Sequence, residues 1–83
     1  MFKFIALHNA VYYSLDDTGG QIRFYANRQG TGYDTRKDIT PKVMPSDALI
    51  KEIRNRPAIC SDMTDDLKAL VNTLEKNFNA LEA

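Results

Sequence analysis

The sequence predicts an α+β domain: an antiparallel β-meander of about three strands, followed by two C-terminal α-helices packed on the sheet. Three observations predict it. Aromatic and β-branched residues crowd the first third of the chain, where they suit a pleated surface. An acid-and-glycine segment, Asp16 to Gly20, divides that third into a hairpin. Apolar residues return at helical spacing only after Pro45.

Phe2, Phe4, Ile5 and Leu7, then Val11, Tyr12, Tyr13 and Leu15, are the strand-forming residues. His8-Asn9 suits either a turn between two short strands or a bulge in one long strand. On plain alternation His8 shares a face with Phe2, Phe4 and Ala6, while Ile5 and Leu7 take the other. After the glycine loop, Ile22, Phe24 and Ala26 lie on one side of a strand and Gln21, Arg23, Tyr25 and Asn27 on the other. The polar stretch Arg28–Asp38 reads as an extended loop, or as a loop leading into a short edge strand around Tyr33–Ile39. Pro41 and Pro45 then interrupt regular structure.

Ser46 before Asp47 predicts a helix start: a hydroxyl N-cap with a carboxylate in the first turn, where the helix dipole favours anions. Leu49, Ile50 and Ile53 form its apolar stripe, and Pro57 ends it near Arg56. Thr64 or Ser61 caps the second helix, which Asp65 and Asp66 open. Leu67, Leu70, Val71, Leu74, Phe78 and Leu81 recur along it at helical spacing. The organisation is therefore one domain over 1–83, with 1–40 β-rich, a short helix over 46–56 and an amphipathic helix over 64–81.

Composition narrows the class. With 83 residues, 43% hydrophobic and 27% charged, the chain is globular rather than disordered, and its core is modest. One cysteine, Cys60, leaves no intrachain disulfide and fits a reducing, cytoplasmic compartment. No apolar run reaches the roughly 18 residues that span a bilayer. The short run from Phe2 to Leu7 reads better as a first strand than as a secretory signal.

Catalytic groups are sparse. His8 is the only histidine, so no two-histidine metal site exists. It reads as a strand-end residue with satisfied nitrogens rather than a base. Cys60 has no immediately flanking base to activate it and reads as a small buried hydrophobe. Asp16-Asp17 suits a turn and Asp65-Asp66 a helix start, and neither has the spaced oxygen ligands of a calcium loop. Gly30-Thr31-Gly32 lacks the Lys-Ser/Thr pair of a P-loop and the third glycine of a dinucleotide fingerprint. The expectation is a non-enzymatic protein without cofactor or metal.

Charge is the feature that points outward. The net charge is zero, yet residues 21–57 carry eight bases against four acids, a basic middle between acidic ends. Within it Arg23, Tyr25, Arg28, Tyr33, Arg36 and Lys37 form a candidate partner-binding set. Arg and Tyr are residues that interfaces favour, and basic groups with stacking rings also suit single-stranded RNA or DNA. A pI near 6.5 and the acidic final helix oppose a nucleic-acid footprint. Arg54 and Arg56 have a local use at the negative end of their helix, and Arg23 can pair across the hairpin.

These readings predict a small cytosolic binding protein whose partner is a protein, with RNA or single-stranded nucleic acid as the alternative. Size and the missing catalytic groups suit a phage- or plasmid-type inhibitor of a host or defence protein, or an antitoxin-type partner. Strands apolar on both faces, with two short helices to cover them, also predict an exposed apolar strip and hence a homodimer or a host-protein interface.

Overall fold

Asn9 and Ala10 open the sheet. Both have positive φ, 51° and 62°, which is what a two-residue type I′ hairpin needs to match the twist of its strands. In this computed structural model, which describes residues 2–82, β1 (Phe2–His8) and β2 (Val11–Asp16) fold back on each other with His8 opposite Val11. His8-Asn9 is thus part of a turn. The bulge lies earlier: Phe4 pairs with Ser14 but Ala6 with Tyr13, leaving Ile5 as an extra residue.

That single insertion changes the faces of β1, because side chains alternate with period two. Ile5 and Ala6 both point into the core, at 0% and 1% exposure. His8 joins them on the inner side, while Phe2, Phe4 and Leu7 share the outer side. The simple alternation that grouped His8 with Phe2 and Phe4, and Ile5 with Leu7, is corrected accordingly.

β3 (Arg23–Arg28) returns after the Asp16–Gly20 loop, in which Asp16 Oδ1 accepts a hydrogen bond from Thr18 N at 2.8 Å. Its register places Leu15 opposite Phe24 and Tyr13 opposite Ala26. The sheet has four strands, not three. β4 is only Lys37–Asp38, antiparallel to β3, and the order is β1-β2-β3-β4. It stops early for a visible reason. Ile39 N still donates to Phe24 O, but Phe24 N turns to the Thr40 hydroxyl, and the following Pro41 has no N–H to offer.

Helix α1 (Asp47–Arg54) begins at Ser46, whose hydroxyl accepts from Leu49 N at 3.3 Å. Helix α2 (Asp65–Glu82) begins at Thr64, which accepts from Leu67 N in the same way. Ile50 and Ile53 from α1, and Leu67, Leu70, Val71, Leu74 and Phe78 from α2, bury against Ile5, Val11, Tyr13, Leu15, Phe24 and Ala26. Leu81, the last member of the predicted stripe, is 54% exposed. All the helical cover lies on one face of the sheet. Among the described residues, no helix is long and apolar enough to cross a membrane.

The linker between the helices is held by one side chain. Arg56 donates to Glu52 Oε1 at 2.5 Å, to Cys60 Sγ at 3.2 Å and to the Asp62 carbonyl. Cys60 is buried as expected, but a base does reach it, from four residues upstream. Hydrogen bonds from Arg56 and Thr64 hold the Glu52 carboxyl below the usual range, and the Arg56 guanidinium is correspondingly raised. This hub has a complete structural purpose.

Candidate interaction surface

The sheet divides the predicted basic set into two groups. Register puts Arg28 level with Val11 and Lys37 level with Ala26, so both lean to the helix side. There Arg28 pairs with Glu82 at 2.6 Å and Lys37 with the same carboxylate at 3.8 Å. The Arg28 guanidinium also lies 5.2 Å from the centre of the Phe78 ring. Arg28 and Lys37 therefore fasten the end of α2 to the sheet and leave the candidate patch. The acidic C-terminal helix meets part of the basic middle within the molecule. Arg54 repeats the pattern, with its Nε 3.2 Å from Asp17 at the acidic N-terminal side.

The remaining four residues, Arg23, Tyr25, Tyr33 and Arg36, belong to the face without helices. Tyr25 points outward from β3. Tyr33 and Arg36 reach the same region from the loop between β3 and β4, which makes one short 3₁₀ turn at Tyr33–Thr35. Arg23 is spoken for: its Nη1 lies 3.2 Å from Asp38 Oδ2, and its other nitrogen donates to Gln21 Oε1. Burial pushes the Asp38 carboxyl up, but hydrogen bonds from Thr40 and the Arg23 charge outweigh it and hold the group below its usual range.

Arg36 is different. Its guanidinium carbon lies 4.0 Å from the Tyr33 ring centre, 4.6 Å from Phe2 and 5.2 Å from Tyr25. Those rings also meet edge to face, Phe2 with Tyr25 at 5.4 Å and with Tyr33 at 5.2 Å. A cation over ring faces is attracted by the ring quadrupoles, and each contact contributes about 0.5–1 kcal/mol at an exposed site. The other four arginines each have a carboxylate within about 3.2 Å; Arg36 alone has none among the described residues. Its Nε is buried without a hydrogen-bond partner, which costs about 1–3 kcal/mol.

Beside Arg36 the surface continues as Phe4 and Tyr12, whose rings lie 5.2 Å apart. Phe4 is 36% and Tyr33 59% exposed. A cavity of about 30 Å³ opens between Phe2, Phe4, Ser14, Asn27, Tyr33 and Arg36. Phe2, Phe4 and Tyr12 were not part of the predicted set. Aromatics at alternate positions of the first strand were the available signal, and it becomes legible once Tyr25 is known to lie two strands away on the same face.

The helix side has a larger opening, about 150 Å³, between Arg28, Lys37, Phe78 and Glu82, but both cations there already share the Glu82 carboxylate. His8 Nδ1 lies 3.1 Å from Glu75 Oε2, at ion-pair distance but off hydrogen-bond geometry, and Asn9 donates to the other carboxylate oxygen at 3.1 Å. Tyr13 is fully buried; burial, helped by the nearby Glu75 charge, pushes its phenol up to about 12. No group of three or more His, Cys, Asp or Glu that could hold a metal occurs among the described residues. Comparison with protein-family models, curated proteins and solved structures gives no match, so the functional reading rests on this geometry.

Proposed function

We propose that this is a non-enzymatic binding protein of the phage- or plasmid-type inhibitor class, recognising a host or defence protein through its open sheet face. The observation that carries the reading is the aromatic surface gathered around Arg36, an arginine with no carboxylate beside it among the described residues. Phe, Tyr and Arg are enriched at protein interfaces, and Tyr and Arg are among the residues that supply most of the binding energy there. Rings already packed on a sheet also lose little freedom when a partner arrives.

Nucleic acid is less well supported by the same face. Asp16 and Asp38 share it with Arg23 and Arg36, so it offers a phosphate chain little net positive charge. Arg28 and Lys37, which would have extended a basic track, point to the other side and share Glu82.

The test is a pull-down from nuclease-treated host lysate with the wild-type chain and with Phe4→Ser and Tyr33→Ser. Proteins retained by the wild type and lost with both variants support the proposal. Identical capture by all three overturns it, as does capture that vanishes on nuclease treatment. Binding of a mixed oligonucleotide at low salt that weakens steeply on salt addition would favour the nucleic-acid reading instead. A homodimer through this face would appear as a wild-type mass in solution that Phe4→Ser halves.

A further inference from the structure

We infer that Arg36 is the receptor for a carboxylate: the partner presents an Asp or Glu side chain, flanked by apolar residues, to the guanidinium held among Phe2, Tyr25 and Tyr33. The inference rests on the open face being the interaction surface. It goes further by naming the chemistry the partner must bring.

The unmatched groups define that chemistry. Guanidinium is a planar fork of N–H donors whose best complement is a carboxylate accepting two of them side by side. Among the described residues each of the other four arginines has a carboxylate within about 3.2 Å, and Arg36 has only the Tyr33 carbonyl at 3.4 Å. Rings on several sides fix where its charge sits without neutralising it. Packing against rings also weakens hydration, so an incoming carboxylate meets a cation already partly stripped of water. The adjacent cavity has room for a group of about water size, such as one carboxylate oxygen, and Ser14 and Asn27 add polar atoms to its lining.

The buried Nε requires a small adjustment, and the loop allows it. Backbone hydrogen bonds from Thr31, Thr35 and Arg36 all stay within 28–36, reaching the carbonyls of Arg28, Gly32 and Tyr33. No backbone pairing to the sheet needs to break when Tyr33 and Arg36 shift. The apolar flank is set by Phe4, which borders the same opening, and by Tyr12, whose ring lies 5.2 Å from that of Phe4. A phosphate chain fits less well, since Asp16 and Asp38 lie on this face.

The experiment is selection of a phage-displayed random dodecapeptide library on the intact folded protein, followed by affinity measurement with synthetic winners. The expected consensus contains one Asp or Glu next to aromatic or aliphatic residues. Arg36→Gln, and Glu→Gln or Asp→Asn in the peptide, should each weaken binding by roughly thirtyfold or more, because removing one member of a desolvated charge pair strands the other. The double change should cost little beyond either single one. Arg36→Lys, which keeps the charge but loses the fork, should fall between. Folding of each variant is checked by its amide NMR spectrum.

A consensus without an acid, unchanged affinity in Arg36→Gln, or failure to enrich any peptide over the Arg36→Gln protein would each overturn the inference. Binding lost in Phe4→Ser and Tyr33→Ser but kept in Arg36→Gln would sink the carboxylate alone and leave the open face as the surface. Peptide binding unaffected by all three variants would remove the surface as well.

Discussion

The two faces of this sheet treat their aromatic and cationic residues in opposite ways. On the inner face Phe78 sits beneath the helix and takes Arg28 and Lys37 over its ring, and both cations continue to Glu82. On the outer face Phe2, Tyr25 and Tyr33 hold Arg36 by the same ring attraction, but no carboxylate follows among the described residues. Inside, the charge is matched by the chain itself. Outside, its match must come from solvent or a partner. Side chains of the same kind thus serve packing on one face and, in the function proposed above, recognition on the other, and the difference lies in whether an acid is folded beside them.

The sharpest test of this contrast is stability. Leu74→Ala removes a fully buried side chain from the inner layer and should cost about 2–5 kcal/mol in urea unfolding, through lost burial and a residual cavity. Phe4→Ala on the outer face should cost less than about 1 kcal/mol. Equal losses would mean that the outer face belongs to the core and would break the comparison.

Tyr13 provides the next largest effect. Its phenol is raised to about 12 in the folded protein, against about 10 when unfolded. A raised pKa means that the folded state holds its proton longer than the unfolded chain. Stability is therefore full below about pH 10 and falls as pH rises toward 12, by roughly 2 kcal/mol. Tyr13→Phe should remove that part of the alkaline loss and leave neutral-pH stability unchanged or raised by up to about 1–3 kcal/mol, since it also removes a buried hydroxyl without a hydrogen-bond partner. Unfolding midpoints at pH 8 and pH 11 in both proteins measure it, and parallel losses would contradict the assignment.

Arg36→Met should shift stability by no more than about 1 kcal/mol in either direction. Loss of the ring attraction is offset by removal of a buried, unpartnered N–H. A large destabilisation would make Arg36 a structural residue rather than a recognition one. The smallest effect is expected at Asp38→Asn, which loosens Arg23 and Thr40 on the exposed rim and should cost well under about 1 kcal/mol. Because the Asp38 carboxyl is depressed in the folded state, its contribution is present above about pH 4 and disappears as pH falls through its folded value. Acid titration of the two proteins should show their stabilities converging at low pH.

Much of the fold was legible from local rules. The two helix starts followed from Ser46, and from Thr64 or Ser61, beside acidic residues, and the third strand from the clean alternation of Gln21 to Asn27, against the observed Arg23–Arg28. These features depend on neighbours within a few positions. The candidate surface was half legible: Arg23, Tyr25, Tyr33 and Arg36 do share the open face, while Arg28 and Lys37 do not. Sequence neighbours on a strand point to opposite sides, so closeness along the chain was a poor guide to closeness on a surface. The Ile5 bulge removed a second guide, because an extra residue in one strand is recorded only in its pairing with another.

By itself the sequence determined the element types, their order and the sum of charge in each segment, since propensity, capping and composition are local or additive quantities. Tertiary structure alone decided which face the helices cover and which arginine is left over. Burying the stripe from Leu67 to Phe78 against Tyr13, Leu15 and Phe24 turned one side of the sheet inward and brought Glu82 onto Arg28 and Lys37. The basic middle was thereby reduced to Arg36 among three rings, an outcome set by contacts between residues far apart in the chain.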